Sequence, residues 1–240
     1  MPFITARCIR LVYLYKKNIM KYIVKILEIK QVTHDVKCFR IEKPPGYQFT
    51  AGQATDVAIN KPGMEEEKRP FTFTCLSQQS YLEFTIKRYI HRHGVTDQLH
   101  QLNPGDELFI EDAWGAIEYK GPGYFIAGGA GITPFIAILR QLHHENNLTG
   151  NILFFSNKTA ADIIYEQELL HILGKDAIFI LTKENKEGYK NGYINEAFIQ
   201  EHISSFDKHF YVCGPDPMVE SILKILKKSG ADADTLVFEK

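Results

Sequence analysis

The hydrophobic pattern changes period once along the chain, at Gly121-Pro122-Gly123, and this change limits the fold more than any other feature. From Lys21 to about Lys120 the apolar residues come in short runs or strict alternation: Tyr22–Lys30, Val36–Glu42, Ala54–Ile59, Phe71–Leu76, Tyr81–Lys87 and Glu107–Glu111. Pro44-Pro45-Gly46, Lys61-Pro62-Gly63 and Asn103-Pro104-Gly105-Asp106 punctuate them. Strands of this length and spacing predict an all-β barrel or sandwich. One short helix interrupts it, with Thr96 as the expected cap and Leu99 and Leu102 facing inward. Beyond Gly123, strands at Tyr124–Ala127, Asn151–Phe155, Ala177–Leu181, His209–Val212 and Leu236–Phe238 alternate with helical patterns. The helices are expected at Pro134–His144, Ile164–Leu173, Asn195–His202 and Pro217–Ser229, which predicts a parallel α/β sheet. The chain of 240 residues divides into an extension (1–20), a β-barrel domain (21–120) and an α/β domain (121–240). Each domain is long enough to hold its own core.

Composition excludes several classes. With 45% hydrophobic and 24% charged residues the chain is ordinary globular protein, and a net charge of −1 gives no global basic field for nucleic acid. No apolar run reaches the 18 or so residues of a membrane span. Cys8, Cys38, Cys75 and Cys213 lie far apart, so no four-cysteine zinc or iron–sulfur site of ordinary spacing exists within the sequence. Dispersed cysteines of this kind suit a reducing compartment and predict a cytoplasmic protein. The histidines, His143-His144 included, read as surface or core residues, and no metal site is expected. Residues 1–20 carry Arg7, Arg10, Lys16 and Lys17 and no acid. They fit either a targeting peptide or a plain extension before a domain that starts directly after Met20.

The motif richest in chemistry follows the first α/β strand. Tyr124-Phe125-Ile126-Ala127 runs into Gly128-Gly129-Ala130-Gly131-Ile132-Thr133-Pro134 and then a helix. Strand, glycine turn and helix N-terminus together receive a pyrophosphate, because glycine admits close backbone approach and the free N–H groups favour an anion. Gly129, Gly131, Thr133 and Pro134 are the candidates, with proline tolerated where the helix needs no N–H. The next strand ends Phe155-Ser156-Asn157-Lys158. It lacks the acid that ordinarily binds a ribose 2′-hydroxyl. Hydroxyl, amide and ammonium groups there tolerate or favour a 2′-phosphate.

Two further signatures complete a series: Arg69-Pro70-Phe71-Thr72 before the glycine loop, and Tyr211-Val212-Cys213-Gly214-Pro215-Asp216-Pro217-Met218 after it. In this order, across residues 21–240, they resemble the ferredoxin–NADP reductase family. The resemblance implies an antiparallel Greek-key β-barrel that binds FAD, followed by an α/β parallel-sheet domain that binds the nicotinamide dinucleotide. It implies that Arg69 neutralises a flavin phosphate, that Pro70 and Phe71 lie along the flavin, and that the Thr72 hydroxyl reaches the N5 edge. Lys87, Tyr89, His93, Gly94, Val95 and Thr96 match the family's second flavin segment. There the N–H groups around Val95 and Thr96 hold the diphosphate, which favours FAD over FMN, and the ring of Tyr89 or His93 meets the adenosine half. Thr133 would lie near the nicotinamide. Cys213 would sit beside the reacting atoms, with Gly214 and Pro215 opening the next helix. Thr182-Lys183-Glu184 partly matches the family's S-R-E clamp for a 2′-phosphate, and Tyr193 would stack on the adenine. NADPH is therefore expected over NADH. Glu239, next to last in the sequence, fits either a proton relay that also orients the nicotinamide or a plain surface terminus, and no aromatic residue follows it to cover the flavin.

The resemblance implies an FAD-dependent NAD(P)H oxidoreductase, expected as a monomer, that passes electrons to a separate flavodoxin or ferredoxin. The local basic run Lys87, Arg88, His91, Arg92 and His93 would attract such an acidic partner. Two alternatives stay open: a flavin or ferric-chelate reductase, and an electron-transfer subunit of a larger oxidoreductase complex. The absence of a cluster-binding cysteine tail speaks against the subunit.

Overall fold

The computed structural model describes residues 20–89, 94–115 and 117–238. The first part is built from β1 (Lys21–Thr33), β2 (Val36–Glu42), β3 (Ala54–Ile59), β4 (Arg69–Thr72), β5 (Tyr81–Lys87), α1 (Val95–Leu99) and β6 (Glu107–Glu111). All pairings are antiparallel, in the order β4-β3-β6-β1-β2-β5. Just beyond β4 the chain bridges Phe73 to Phe84 and Thr74 N–H donates to Glu83 O at 2.8 Å. These two links close the sheet into a Greek-key barrel. Inward residues such as Val24, Ile26, Phe39, Ile41, Val57, Leu82, Phe84 and Ile110 fill it.

Most strand expectations hold to within two residues. The fourth strand differs: it begins at Arg69 rather than Phe71, and its pairing to β3 stops at Thr72. The short helix is capped by Gly94 with no side-chain bond, not by Thr96, which lies inside it. The inward helical positions hold, since Leu99 and Leu102 are buried.

The second part runs β7 (Gly123–Gly128), α2 (Thr133–His144), β8 (Ile152–Asn157), α3 (Glu166–Leu173), β9 (Ala177–Leu181), β10 (Lys190–Asn191), α4 (Glu196–His202), β11 (His209–Cys213), α5 (Asp216–Lys228) and β12 (Leu236–Phe238). The sheet is parallel, ordered β10-β9-β8-β7-β11-β12. Every residue of β7 is buried because helices cover both faces. Phe125, Ala127, Leu153 and Phe155 pack against α2 and α3, whereas Tyr124, Ile126, Phe154, Phe210 and Val212 pack against α4 and α5. Helix α3 starts at Glu166, two residues later than its apolar pattern suggests, because Tyr165 takes a left-handed conformation (φ +55°) at its N-cap. The two-residue strand β10 had no apolar signal of its own, being Lys-Asn between Tyr189 and Gly192.

From β7 the chain steps outward through β8, β9 and β10, then returns to β11 on the other side of β7. The two directions diverge between β7 and β11, and the crevice at their carboxyl ends is where open α/β sheets bind ligands.

Candidate functional site

The glycine loop and the C-G-P-D-P-M segment meet in that crevice. A β-carbon on Gly131 would lie 2.5 Å from the Cys213 carbonyl carbon and 2.6 Å from Gly214 N. One on Gly214 would lie 3.2 Å from Gly128 N and Cα. The two motifs therefore touch backbone to backbone, and only glycine permits it. Gly129 has a different reason: its φ is +53° and nothing lies within 4 Å of its missing side chain. It leaves an open cradle over the start of α2.

Residues Gly129–Ile132 form a 3-10 turn that leads straight into α2. The Thr133 hydroxyl donates to Ala130 O at 3.0 Å and so ties the turn to the helix. Pro134 is buried in the first turn. Cys213 ends β11 and is 8% exposed, and Pro215 is the N-cap of α5.

At the ends of β8 and β9, Thr182 N–H donates to Asn157 O and Lys183 N–H to Lys158 O, both at 2.9 Å. This brings the Thr182-Lys183 pair beside Ser156-Asn157-Lys158, with both lysines exposed. Glu184 turns away from that group, and its carboxylate accepts from Ala160 N at 2.7 Å. The Asn157 side chain is buried, and among the described residues neither its Oδ1 nor its Nδ2 has a hydrogen-bond partner. An orphaned amide at the carboxyl end of a parallel strand, with the open cradle at Gly129, fits a dinucleotide that brings its own polar groups. Tyr193 is 70% exposed before α4.

In the barrel, β4 presents its motif with Arg69 and Pro70 exposed and Phe71 and Thr72 half-buried. Arg69 Nη1 donates to Lys68 O at 2.6 Å, and its nearest carboxylate, Glu67, is 3.8 Å away. A guanidinium so loosely held fits a phosphate partner. Phe71 rests 6.3 Å from the Phe84 ring, centroid to centroid. In the second flavin segment Val95 is buried, Gly94 and Thr96 are half-buried and Tyr89 is 43% exposed. His93 and Glu239 lie outside the described residues, as do His91 and Arg92.

The basic run is not a simple positive patch. Lys87 pairs with Asp35 at 2.9 Å and Arg88 with Asp97 at 2.7 Å, so both cations are locally neutralised.

A second constellation, which sequence reasoning missed, joins the two domains. Arg140 on α2 donates through Nη1 to Glu83 Oε1 (2.8 Å) and Thr74 O (2.5 Å) in the barrel. Through Nε and Nη2 it holds both oxygens of Glu168 on α3, at 2.5 and 2.9 Å. Glu83 also accepts from Arg40 (3.0 Å) and Thr74 Oγ1 (3.1 Å). Burial favours the neutral Glu83 carboxyl, but Arg140, Arg40 and Thr74 outweigh it and hold the group below its ordinary value. Burial likewise opposes the Arg140 charge, and Glu168 and Glu83 more than offset it. Beside them Tyr165 OH lies 3.1 Å from Thr85 Oγ1, and the Arg140 guanidinium sits 5.1 Å above the Tyr165 ring. The one signal in the sequence was Arg140 itself, a cation within the apolar stretch Phe135–Leu142.

Comparison with known proteins agrees with this geometry. Residues 23–119 match the oxidoreductase FAD-binding domain and residues 125–224 the oxidoreductase NAD-binding domain. The reductase component of propane 2-monooxygenase from Rhodococcus jostii (strain RHA1) is 27% identical over 233 residues, covering 90% of this chain and 62% of that protein. NADH-cytochrome b5 reductase 2 from Mycosarcoma maydis is 30% identical over 218 residues, covering 81% of this chain and 62% of that protein. The chain thus spans about three fifths of these relatives' length. The ferredoxin NADP+ reductase from Neisseria gonorrhoeae, solved with FAD and NADP, shares the fold at a TM-score of 0.78 and 18% identity, covering 91% of this chain and 98% of that one. With an oxidoreductase FAD-binding domain followed by an oxidoreductase NAD-binding domain, the chain is a flavin- and nicotinamide-binding oxidoreductase that shares its fold with a ferredoxin NADP+ reductase.

Proposed function

We propose that this chain is an NAD(P)H reductase that supplies single electrons to a separate carrier protein, a flavodoxin or ferredoxin. The observation that carries the reading is the backbone contact of Gly131 with Cys213 and Gly214 at the sheet's switch point, with the Arg69–Thr72 strand carried on the adjoining barrel. When bound, FAD would supply an acceptor for the two electrons of the nicotinamide's hydride and a one-electron donor to the carrier. The protein's work is binding and alignment. Arg69 would pair with the flavin phosphate, with Pro70 and Phe71 beside the ring system. Thr72 would offer its hydroxyl to the N5 edge. Gly94, Val95 and Thr96 would supply backbone N–H groups to the diphosphate, and Tyr89 would flank the adenosine. Gly129 and Gly131 would admit the dinucleotide's phosphates, and Thr133, Pro134, Gly214 and Pro215 would shape the nicotinamide end. Cys213 would leave room for the rings to approach. Thr182, Lys183, Lys158 and Tyr193 would receive the adenosine end, and the two exposed lysines favour NADPH.

The neutralised Lys87 and Arg88 support a partner surface set by shape as well as charge. The relatives named as reductase components of oxygenases support a second reading, in which the acceptor is an oxygenase component. Among the described residues no helix is long and apolar enough to cross a membrane.

The test is anaerobic titration of the FAD-reconstituted chain with NADPH and NADH, followed by turnover with a flavodoxin, a [2Fe–2S] ferredoxin, ferric citrate and free FMN. Stoichiometric bleaching and faster turnover with a protein carrier are expected. A flavin that neither nucleotide reduces would remove the reductase reading. Equal rates with ferric citrate or FMN would replace the carrier with a small acceptor.

A further inference from the structure

We infer that Arg140 is a positioning residue for hydride transfer: its guanidinium locks the flavin-binding barrel to the glycine-loop helix and so sets the approach of the two ring systems. The inference rests on the reductase reading above and adds a residue to it. Arg140 sits two turns into α2, the helix that starts at Thr133 directly after the glycine loop. Its acceptor Thr74 O lies two residues beyond Thr72, the end of the strand that carries the flavin motif. Its acceptor Glu83 is on β5, paired with the continuation of that strand through Thr74 N–H. Glu168 holds the other edge of the guanidinium on α3, so the fork is filled from both domains at once.

The linkage is stiff for three reasons. A planar guanidinium accepts its partners only in a fixed fork, unlike an ammonium. The Glu83 side chain is only 4% exposed and that of Arg140 20%, so water cannot readily substitute for a lost partner. The neighbouring contact is also committed, because Tyr165 holds a left-handed backbone while its hydroxyl reaches Thr85 of the barrel. A non-glycine residue in that conformation persists only where the surroundings dictate it. Sliding one domain over the other would part Arg140 from Glu83 and from Thr74 O, leaving Glu83 to Arg40 and Thr74 alone and Arg140 to Glu168 alone. A satisfied polar layer of this kind defines one docking geometry more sharply than an apolar one.

The experiment compares the FAD-reconstituted wild-type chain of 240 residues with Arg140→Met, Arg140→Lys and Glu83→Gln. Three quantities are read: flavin content, the anaerobic single-turnover reduction rate with NADH and NADPH, and deuterium uptake at 72–86 and 133–142 without nucleotide. For Arg140→Met the flavin content and the nucleotide concentration for half-maximal rate should stay within twofold. The limiting reduction rate should fall about 100-fold, as expected for a displacement near 1 Å. Deuterium uptake should rise in both segments. Arg140→Lys should recover part of the rate, and Glu83→Gln, which retains the Arg140–Glu168 pair, should lose an intermediate amount. A limiting rate within twofold of wild type in Arg140→Met would overturn the inference, as would unchanged uptake at 72–86. Should Arg140→Met fail to fold, Glu83→Gln decides by the same two criteria. A wild type that binds FAD but is not reduced by either nucleotide would defeat the reductase reading instead, and the deuterium uptake would still report whether Arg140 holds the domains together.

Discussion

Replacing Gly131 by alanine separates the catalytic alignment from the stability of either domain. The added β-carbon would stand 2.5 Å from the Cys213 carbonyl carbon and 2.6 Å from Gly214 N, both backbone atoms at the end of a central strand. Non-bonded carbons settle at about 3.5–4 Å, so the loop and the strand end must part by roughly 1 Å. Neither side yields easily. The loop is tied to α2 by Thr133, and Cys213 is held in the ladder opposite Ala127. Overpacking of this kind costs about 1–3 kcal/mol. In a chain of this size that lowers Tm by about 2–4 °C for each kcal/mol.

The kinetic cost should be disproportionate. A misplacement of about 1 Å in an aligned site removes roughly 100-fold in rate, equivalent to ~2.7 kcal/mol in the barrier. The assay is stopped-flow anaerobic reduction by NADPH, alongside thermal melting and flavin content. Flavin content should not change, because Arg69 and its strand lie in the other domain. Two controls calibrate the result. Gly105→Ala imposes alanine at φ +96° in a barrel turn with open space around it, so it should cost stability and leave the rate alone. Gly129→Ala meets nothing within 4 Å but adopts φ +53°, so its backbone strain is about 1–2 kcal/mol. Its methyl would intrude on the cradle and should raise the nucleotide concentration needed rather than lower the limiting rate. A Gly131→Ala protein that reduced its flavin at the wild-type rate would refute the claim that this contact aligns the rings.

Arg69→Ala should lose most of its flavin on gel filtration, since no other cation holds that position on the motif strand; an unchanged flavin-to-protein ratio would sink the phosphate role. Asn157→Leu should melt higher than wild type without nucleotide, because a buried amide with no partner costs ~1–3 kcal/mol, and should bind NADPH more weakly in equilibrium titration. A stabilised variant with wild-type affinity would make the amide a packing defect instead of a ligand group. The Glu83 carboxyl is held below its ordinary value in the folded chain, so its contribution is complete above about pH 4.3. That contribution is lost as pH falls through the lowered folded value. The difference in Tm between wild type and Glu83→Gln should therefore hold steady from pH 7 to about pH 4.5 and shrink below it. A difference that already closes near pH 6 would point to some other group.

Period and punctuation were enough to place the elements that carry the site. Strand β5 reads Tyr81-Leu82-Glu83-Phe84-Thr85-Ile86-Lys87, and its alternation sends Leu82, Phe84 and Ile86 into the barrel. The glycine loop was legible because a strand, three glycines and a proline admit few backbone paths. The cap of α1 was not, since Gly94 and Thr96 are both acceptable caps and nothing in the sequence chooses between them. Pairing partners were equally hidden: nothing local to Lys87 or Arg88 announces that Asp35 and Asp97 neutralise them.

The alternation that succeeded in β5 also explains what it missed. It assigns Glu83 and Thr85 to the outer face of the barrel, where polar side chains ordinarily meet water. Both are buried, at 3% and 5% exposure, because the second domain lies over that face. An apolar interface would have shown as a hydrophobic outer face. Part of the boundary is apolar, with Val36 and Ala51 of the barrel packed on the core of the second domain, but the polar part over β5 imitates an ordinary solvated surface, and only the folded chain reveals that Arg140, Tyr165 and Glu168 complete it. The choice has a physical consequence. Apolar surfaces slide at modest cost, because a methyl group that leaves one neighbour meets another of the same kind. Charges in a nearly dry layer are matched in one arrangement, and displacing them costs the desolvation of every group left unpaired. For a protein that must bring two bound rings to reacting distance from opposite sides of a domain boundary, a boundary that resists sliding serves alignment better than one that merely adheres.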